Sequence, residues 1–257
     1  MRALGELDER GACVTIEEAK FPAPFVSGLE YAAPARGTWN IVHIGMLLPE
    51  SHQIFVCAQA CLRGVVLTAA EMGASDRFST ISVEDHNLLD GDMETLIIEG
   101  TTDILNRMPE RPRAVLIYTS CVHHFIGCDL DYVYRRLREK FPDVDFTDCY
   151  MNPIMRKSKM TPDSKMRMQL YSLIHERMTP VRKVNFIGNN ELTQESSEFV
   201  QMLRGAGYEI GDICLCRTYE DYQKLGESQL NITCNPAAVA AAKELERRLG
   251  IPHLHLP

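Results

Sequence analysis

The sequence predicts an α/β fold in which a doubly wound parallel sheet is flanked by helices. Two observations carry that expectation. Short runs rich in β-branched and aromatic residues occur at 40–45, 78–83, 114–118, 144–147, 184–188, 213–216 and 230–234. Between them lie segments at 55–72, 93–108, 130–140, 195–205 and 237–249 whose apolar residues recur at helical spacing. Strands alternating with helices in this way close through right-handed βαβ crossovers, which place helices on both faces of one sheet.

In chain order, residues 1–36 read as an N-terminal extension, 37–179 as a first α/β domain and 180–257 as a second. The boundary is placed near Thr179, at the end of a proline-punctuated, basic stretch holding Pro153, Pro162 and Pro180. Local chemistry supports several joints. Asp129 is suited to cap the helix that follows it, Pro236 to a first helical turn, and Gly205 and Gly250 to helix ends. The final residues, Gly-Ile-Pro-His-Leu-His-Leu-Pro, read as a helix end leading into another strand, so the second domain is expected to be incomplete at its C-terminus. No internal repeat or low-complexity tract is visible.

With 257 residues and 45% hydrophobic content, the chain is long enough to bury two cores. Lysine and arginine number 27 against 35 aspartate and glutamate, a formal charge of -8, so no basic field attracts nucleic acid or anionic lipid. The opening MRALGELDERGACVTIEEAK is charged throughout with no apolar core, and no later run is long enough for a membrane span. A cytoplasmic location is expected. In that reducing compartment nine cysteines, an odd number, are not a disulfide framework; they are buried thiols, metal ligands or nucleophiles.

Position separates these roles. In RAVLIYTSCVHHFIGCDLD an apolar strand delivers Cys121 to a loop that leads into a helix, and His123, His124 and Cys128 crowd the same loop. Open α/β sheets bind ligands outside the carboxyl ends of their strands, where a helix start also favours thiolate over thiol. In WNIVHIGMLLPESHQIFVCAQACLRG a strand is expected to end at residues 43–45, with His43 there as a ligand, a proton donor or a structural histidine. Cys57 and Cys61 then fall four apart on a predicted helix, sharing one face, with Arg63 beside them to offset negative charge. The alternative is two buried thiols on an apolar helix. Structural zinc favours knuckle spacings that are absent, and nucleophilic catalysis by Cys121 with His123 or His124 would need adjacent residues to orient one another. Cys214 and Cys216, on one face of a predicted strand, read as structural, as do Cys13 and Cys149.

At these residues the chain resembles the nitrogenase component 1 type of oxidoreductases, which includes the protochlorophyllide reductase subunits. Cys121 through Ile126-Gly127-Cys128-Asp129 resembles the family's strand, cysteine and loop before a helix. The run Val184-Asn-Phe-Ile-Gly-Asn189 resembles the strand opening its second domain, and Leu230-Asn-Ile-Thr-Cys234 with Gly250-Ile-Pro252 the end of that domain. The resemblance covers residues 39–257 in order.

It implies two Rossmann-like domains of the component 1 type, the family's third domain being lost or lying outside this chain. It further implies an iron-sulfur cluster, 4Fe-4S or larger, on Cys121 with Cys57 and Cys61, and puts Cys128 and Cys234 among the cofactor-binding candidates. The family's earliest cluster cysteine would fall at 21–27, where Pro22 and Pro24 stand and no cysteine does, so the ligand set differs. Cys234 lies close to a cofactor cysteine of nitrogenase, but its surroundings differ, and nitrogen fixation is not implied. The partners implied are a second component 1 subunit, in a homodimer or a heterodimer with a paralogue, and an ATP-dependent iron-sulfur reductase. Two other roles stand beside the redox subunit: a non-catalytic scaffold for cluster or metallocofactor assembly, and a small-molecule binding module sharing only the fold.

Overall fold

The computed structural model describes residues 41–151 and 160–256, together with Thr15 and Glu17. Its frame is two four-stranded sheets, each wholly parallel. In the first, β1 (Ser51–Cys57), β2 (Phe78–Ser82), β3 (Ala114–Ser120) and β4 (Asp145–Met151) take the order β2-β1-β3-β4. In the second, β5 (Lys183–Phe186), β6 (Glu209–Asp212), β7 (Leu230–Thr233) and β8 (His253–His255) repeat that order as β6-β5-β7-β8. The central strands β1 and β3 are buried along their whole length, as expected where helices cover both faces of a parallel sheet.

The helices in chain order are α1 (Ile41–Met46), α2 (Gln59–Glu71), α3 (Asp85–Asp90), α4 (Met93–Arg107), α5 (Cys121–Ile126), α6 (Leu130–Lys140), α7 (Pro162–Ser172), α8 (Glu198–Gly205), α9 (Tyr219–Gln223) and α10 (Val239–Leu249). On one face of the first sheet, Ile54, Val56, Val115 and Ile117 pack against Ile97 and Leu105 of α4 and Val133 and Leu137 of α6. The opposite face presents Phe55, Leu116 and Tyr118, in one apolar cluster with Leu62 and Val65 of α2 and Met166 and Leu170 of α7. That cluster continues to Ala241, Ala242 and Leu245 of α10, so it draws on both sheets, and the described residues from 41 onward form one compact unit. The outer face of the second sheet has a smaller core of Val184, Phe186, Val200 and Ile232.

Local signals read from sequence act as expected at several joints. Asp129 accepts the Tyr132 amide at 2.9 Å, Pro236 opens a single 3-10 turn before α10, and Gly250 closes α10 with a φ of 66°. Helical residues begin at Glu198 rather than 195, and the C-terminal HLH does form the edge strand β8.

Three elements differ from expectation. Of the strand expected over 40–45, residues 41–45 are not a strand and Asn40 lies outside the described residues: 41–46 form α1, nearly all of it buried, and a short run that is apolar on every side carries no period to separate strand from helix. α1 lies flat on the sheet because Gly45 has no side chain. A Cβ there would overlap Tyr118 Oη and come within 2.8 Å of the Gln53 amide. Gln53 Nε2 donates to Val42 O at 3.1 Å and Tyr118 Oη to Ile41 O at 3.2 Å, and Tyr118 stacks on Phe55 with ring centroids 4.1 Å apart. Second, the helix expected over 55–72 is strand β1 through Cys57 followed by α2 from Gln59. Third, 213–216 is not a strand: β6 ends at Asp212, whose side chain accepts the Cys214 amide at 3.0 Å and turns the chain into a 3-10 turn.

Candidate functional site

The first sheet brings two of the sequence-selected cysteines to adjacent strand ends. Val56 of β1 is in register with Thr119 of β3, so Cys57, the last residue of β1, and Cys121, the first residue beyond β3, sit at the same carboxyl edge. From there α2 carries the chain outward to β2, while α5 and α6 carry it the other way to β4. The order therefore reverses between β1 and β3, which makes this edge the topological switch point where open α/β sheets leave a crevice. Cys61 enters it from the first turn of α2.

The correction at β1 changes the geometry of the pair. Cys57 and Cys61 do not share a helix face: one ends a strand and is buried, the other is on the helix and is exposed. Both stay near the carboxyl end of β1, four residues apart. Burial pushes the Cys57 thiol up to about 12, and the neighbouring Cys61 and Cys121 add to that shift. Burial and then Cys121 raise Cys61 as well. Cys61 and Cys121 thus discourage ionisation of Cys57, and Cys121 that of Cys61, which a nearby cation would reverse. Arg63 is exposed and is not among the groups acting on these thiols.

Among the described residues, no three or more His, Cys, Asp or Glu side chains stand close enough to hold a single metal ion. Sulfurs around one tetrahedral zinc are only roughly 3.8 Å apart, as follows from Zn–S bonds of about 2.3 Å. A cluster of several irons spreads its thiolates further.

The other candidates lie elsewhere. Cys128, beyond α5, is pushed up to about 12 by burial and then by Glu94, to which its thiol is hydrogen-bonded. Cys234 follows β7 in the second sheet, exposed. It borders a cavity of about 430 Å³ with Gly188, Asn189 and Asn235 at the β5/β7 switch point. The two candidate positions are thus equivalent places in two sheets of the same strand order. His43 is in α1 and not at a strand end, Cys149 is fully buried beside the Tyr118 hydroxyl, and Cys13 lies outside the described residues.

A cavity of about 400 Å³ opens against β3 and β4, lined by Ser120, His123, Cys128, Tyr150 and Lys165 among others. Sequence reasoning found His123 and Cys128 but not Tyr150 and Lys165. No local signal marks them, because β4 and α7 bring them in from later in the chain.

A doubly wound α/β protein with a thiol-lined switch point is thus defined. A family model described as "Nitrogenase component 1 type Oxidoreductase" matches residues 94–257, and the chain belongs to that family. Two solved structures of nitrogenase Cp1, at pH 6.5 and at pH 5, share the fold at 16% identity with a TM-score of 0.59. The match covers 82% of this chain and 43% of the first, and 91% of this chain and 51% of the second, so the chain spans about half the length of either. Among the described residues no helix is long and apolar enough to cross a membrane.

Proposed function

We propose that this chain is a cytoplasmic redox subunit that holds an iron-sulfur cluster, 4Fe-4S or larger, on Cys57, Cys61 and Cys121. It takes electrons from an ATP-dependent iron-sulfur reductase and passes them to a substrate. The observation that carries this reading is the position of Cys57 and Cys121 at adjacent strand ends of the β1/β3 switch point, with Cys61 four residues on from Cys57 in the first turn of α2. When bound, the cluster supplies one-electron storage. The chain's part is to present thiolates from two strand ends and one helix, and to bury Cys57 so that its proton leaves only when metal replaces it.

Three ligands leave a cluster coordinatively short, and a second subunit, either a copy of this chain or a paralogue, is the natural source of the rest. The helices that carry Cys61 and Cys121 also expose Leu67, Phe125 and Ile126, apolar surface of the kind a partner covers. Residues 37–179 and 180–257 are the two lobes of this subunit, with their seam near Thr179.

A scaffold that receives a cluster and hands it on is the second reading, favoured by the exposure of Cys61 and Cys234, since ligand exchange needs an accessible thiol. Protein purified without oxygen decides between these. Several irons per dimer with broad sulfur-to-iron absorbance are expected, and zinc alone, or no metal after cluster reconstitution, would refute both readings. Turnover with a reductase selects the redox subunit; cluster transfer to an acceptor without turnover selects the scaffold.

A further inference from the structure

Cys121 is the first residue of α5, so the direction of its side chain depends on α5 being helical. That helix has little to hold it. It is six residues long, and isolated helices below about 12 to 15 residues are marginal in water, so its internal hydrogen bonds do not suffice. Packing adds little, because His123 is its one buried residue and Phe125 and Ile126 face solvent. Both ends are fastened instead. At the start, Ser120 and His123 close a capping box. At the end, Gly127 turns the chain with a φ of 69°, and the Cys128 amide donates to His123 O at 3.0 Å. Directly beyond that turn the chain meets Glu94, in the first turn of α4. Glu94 Oε1 accepts the Asp129 amide at 2.7 Å, and the Cys128 thiol is hydrogen-bonded to the same carboxylate. Among the described residues, Glu94 is the one side chain from outside 120–132 that hydrogen-bonds the stretch 121–129. Its own place is firm, since the adjacent Met93 is fully buried and Ile97 and Leu105 of α4 pack in one core with Val133 and Leu137 of α6.

We propose that Glu94 is a positioning residue for the Cys121 thiol: by fastening the far end of α5 to α4 it keeps α5 helical, and so fixes the backbone from which Cys121 projects at the β1/β3 switch point. A carboxylate suits the task. Its two oxygens can serve the amide and the thiol together, and a charged acceptor makes the stronger hydrogen bond. The link from the fastened end back to Cys121 is one short helix, with Gly127 and the His123 carbonyl closing it. The value of this placement for electron transfer rests on the cluster reading, whereas the placement itself does not.

Two variants separate the hydrogen bond from the charge. Glu94→Gln keeps an oxygen for the Asp129 amide and Glu94→Ala removes it, while both take the negative charge from the first turn of α4, so their difference reports the tie and not the helix dipole. The metal-free full chain is alkylated with iodoacetamide, and the rate at each cysteine is read by peptide mass spectrometry. In Glu94→Ala, Cys121 should react about fivefold faster than in the parent, the ratio that one net hydrogen bond represents, with Glu94→Gln within about twofold of the parent. Cys234, exposed in the second sheet, should keep its rate in both variants and serves as the internal control. An unchanged Cys121 rate in Glu94→Ala, an equal rise in Glu94→Gln, or a parallel rise at Cys234 overturns the proposal. In cluster-loaded protein, Glu94→Ala should alter the electron paramagnetic resonance signal and Glu94→Gln preserve it; spectra and iron content identical in parent and Glu94→Ala would overturn it too. A parent that takes up no iron refutes the cluster reading alone, and the alkylation rates, which involve no metal, then decide the role of Glu94.

Discussion

At the scale of single residues, burial and neighbourhood sort the cysteines. Cys149 is buried in β4 against Tyr118 and acts as packing, whereas Cys121 stands where strand β3 ends and shares an electrostatic neighbourhood with Cys57 and Cys61. Cys121→Ser exchanges a soft thiolate for a poor iron ligand at almost constant volume, so the fold should survive while iron content falls sharply. Cys149→Ser should keep its iron, at a stability cost of about 1 kcal/mol for an altered core contact. Iron analysis and electron paramagnetic resonance on both variants check this, and identical iron and spectra would remove Cys121 from the ligand set. Cys121 was legible in sequence because strand, turn and helix all lie within a few residues of it. Cys57 was assigned to the cluster but to the wrong element, since an apolar run entering an apolar helix leaves the joint between them unmarked.

Among the elements, α1 shows most plainly how packing overrides local pattern. Its six residues touch the sheet through Gly45, and Arg77 binds the turn beyond it, donating to Met46 O at 3.2 Å, Leu48 O at 2.5 Å and Ser51 O at 3.1 Å. Gly45→Ala should therefore push α1 away from Tyr118 and Gln53 and destabilise the protein by about 1 to 3 kcal/mol, the usual cost of overpacking. Arg77→Met leaves carbonyl groups of the turn without their donor, and should cost about 1 to 3 kcal/mol. Denaturant midpoints at constant slope test both, and an unchanged midpoint in Gly45→Ala would show that α1 yields freely. By contrast, α4 and α6 were readable to within a residue or so, because each keeps one apolar stripe against the sheet and one charged face toward water.

For the molecule as a whole, pH dependence follows from two histidines. His52 at the start of β1 and His123 beyond β3 both have their pKa lowered to about 4, chiefly by burial. A depressed histidine stays neutral in the fold while the unfolded chain takes up protons below about 6.5. Above that pH the two states bind protons equally and neither residue affects stability. Between about 6.5 and 4 the unfolded state binds more, so stability falls as the pH is lowered, by at most roughly 1.4 kcal/mol per pH unit for each histidine. Chemical denaturation between about pH 7.5 and 5 measures the slope, and a flat or opposite trend would contradict the buried neutral state of these rings.

The sequence by itself determined the class of fold, the alternation of strands and helices, the family resemblance and the position of Cys121 at a strand end. Each rests on residues close together in the chain, where hydrophobic period, turn chemistry and capping act locally. Tertiary structure alone decided that α1 is a helix, that the second sheet repeats the strand order of the first, and that one apolar cluster draws on both sheets. It alone brought Cys57 beside Cys121, and Tyr150 and Lys165 across from His123. These are pairings between distant segments, selected by burial and by which strand lies next to which, and no window along the chain contains both partners.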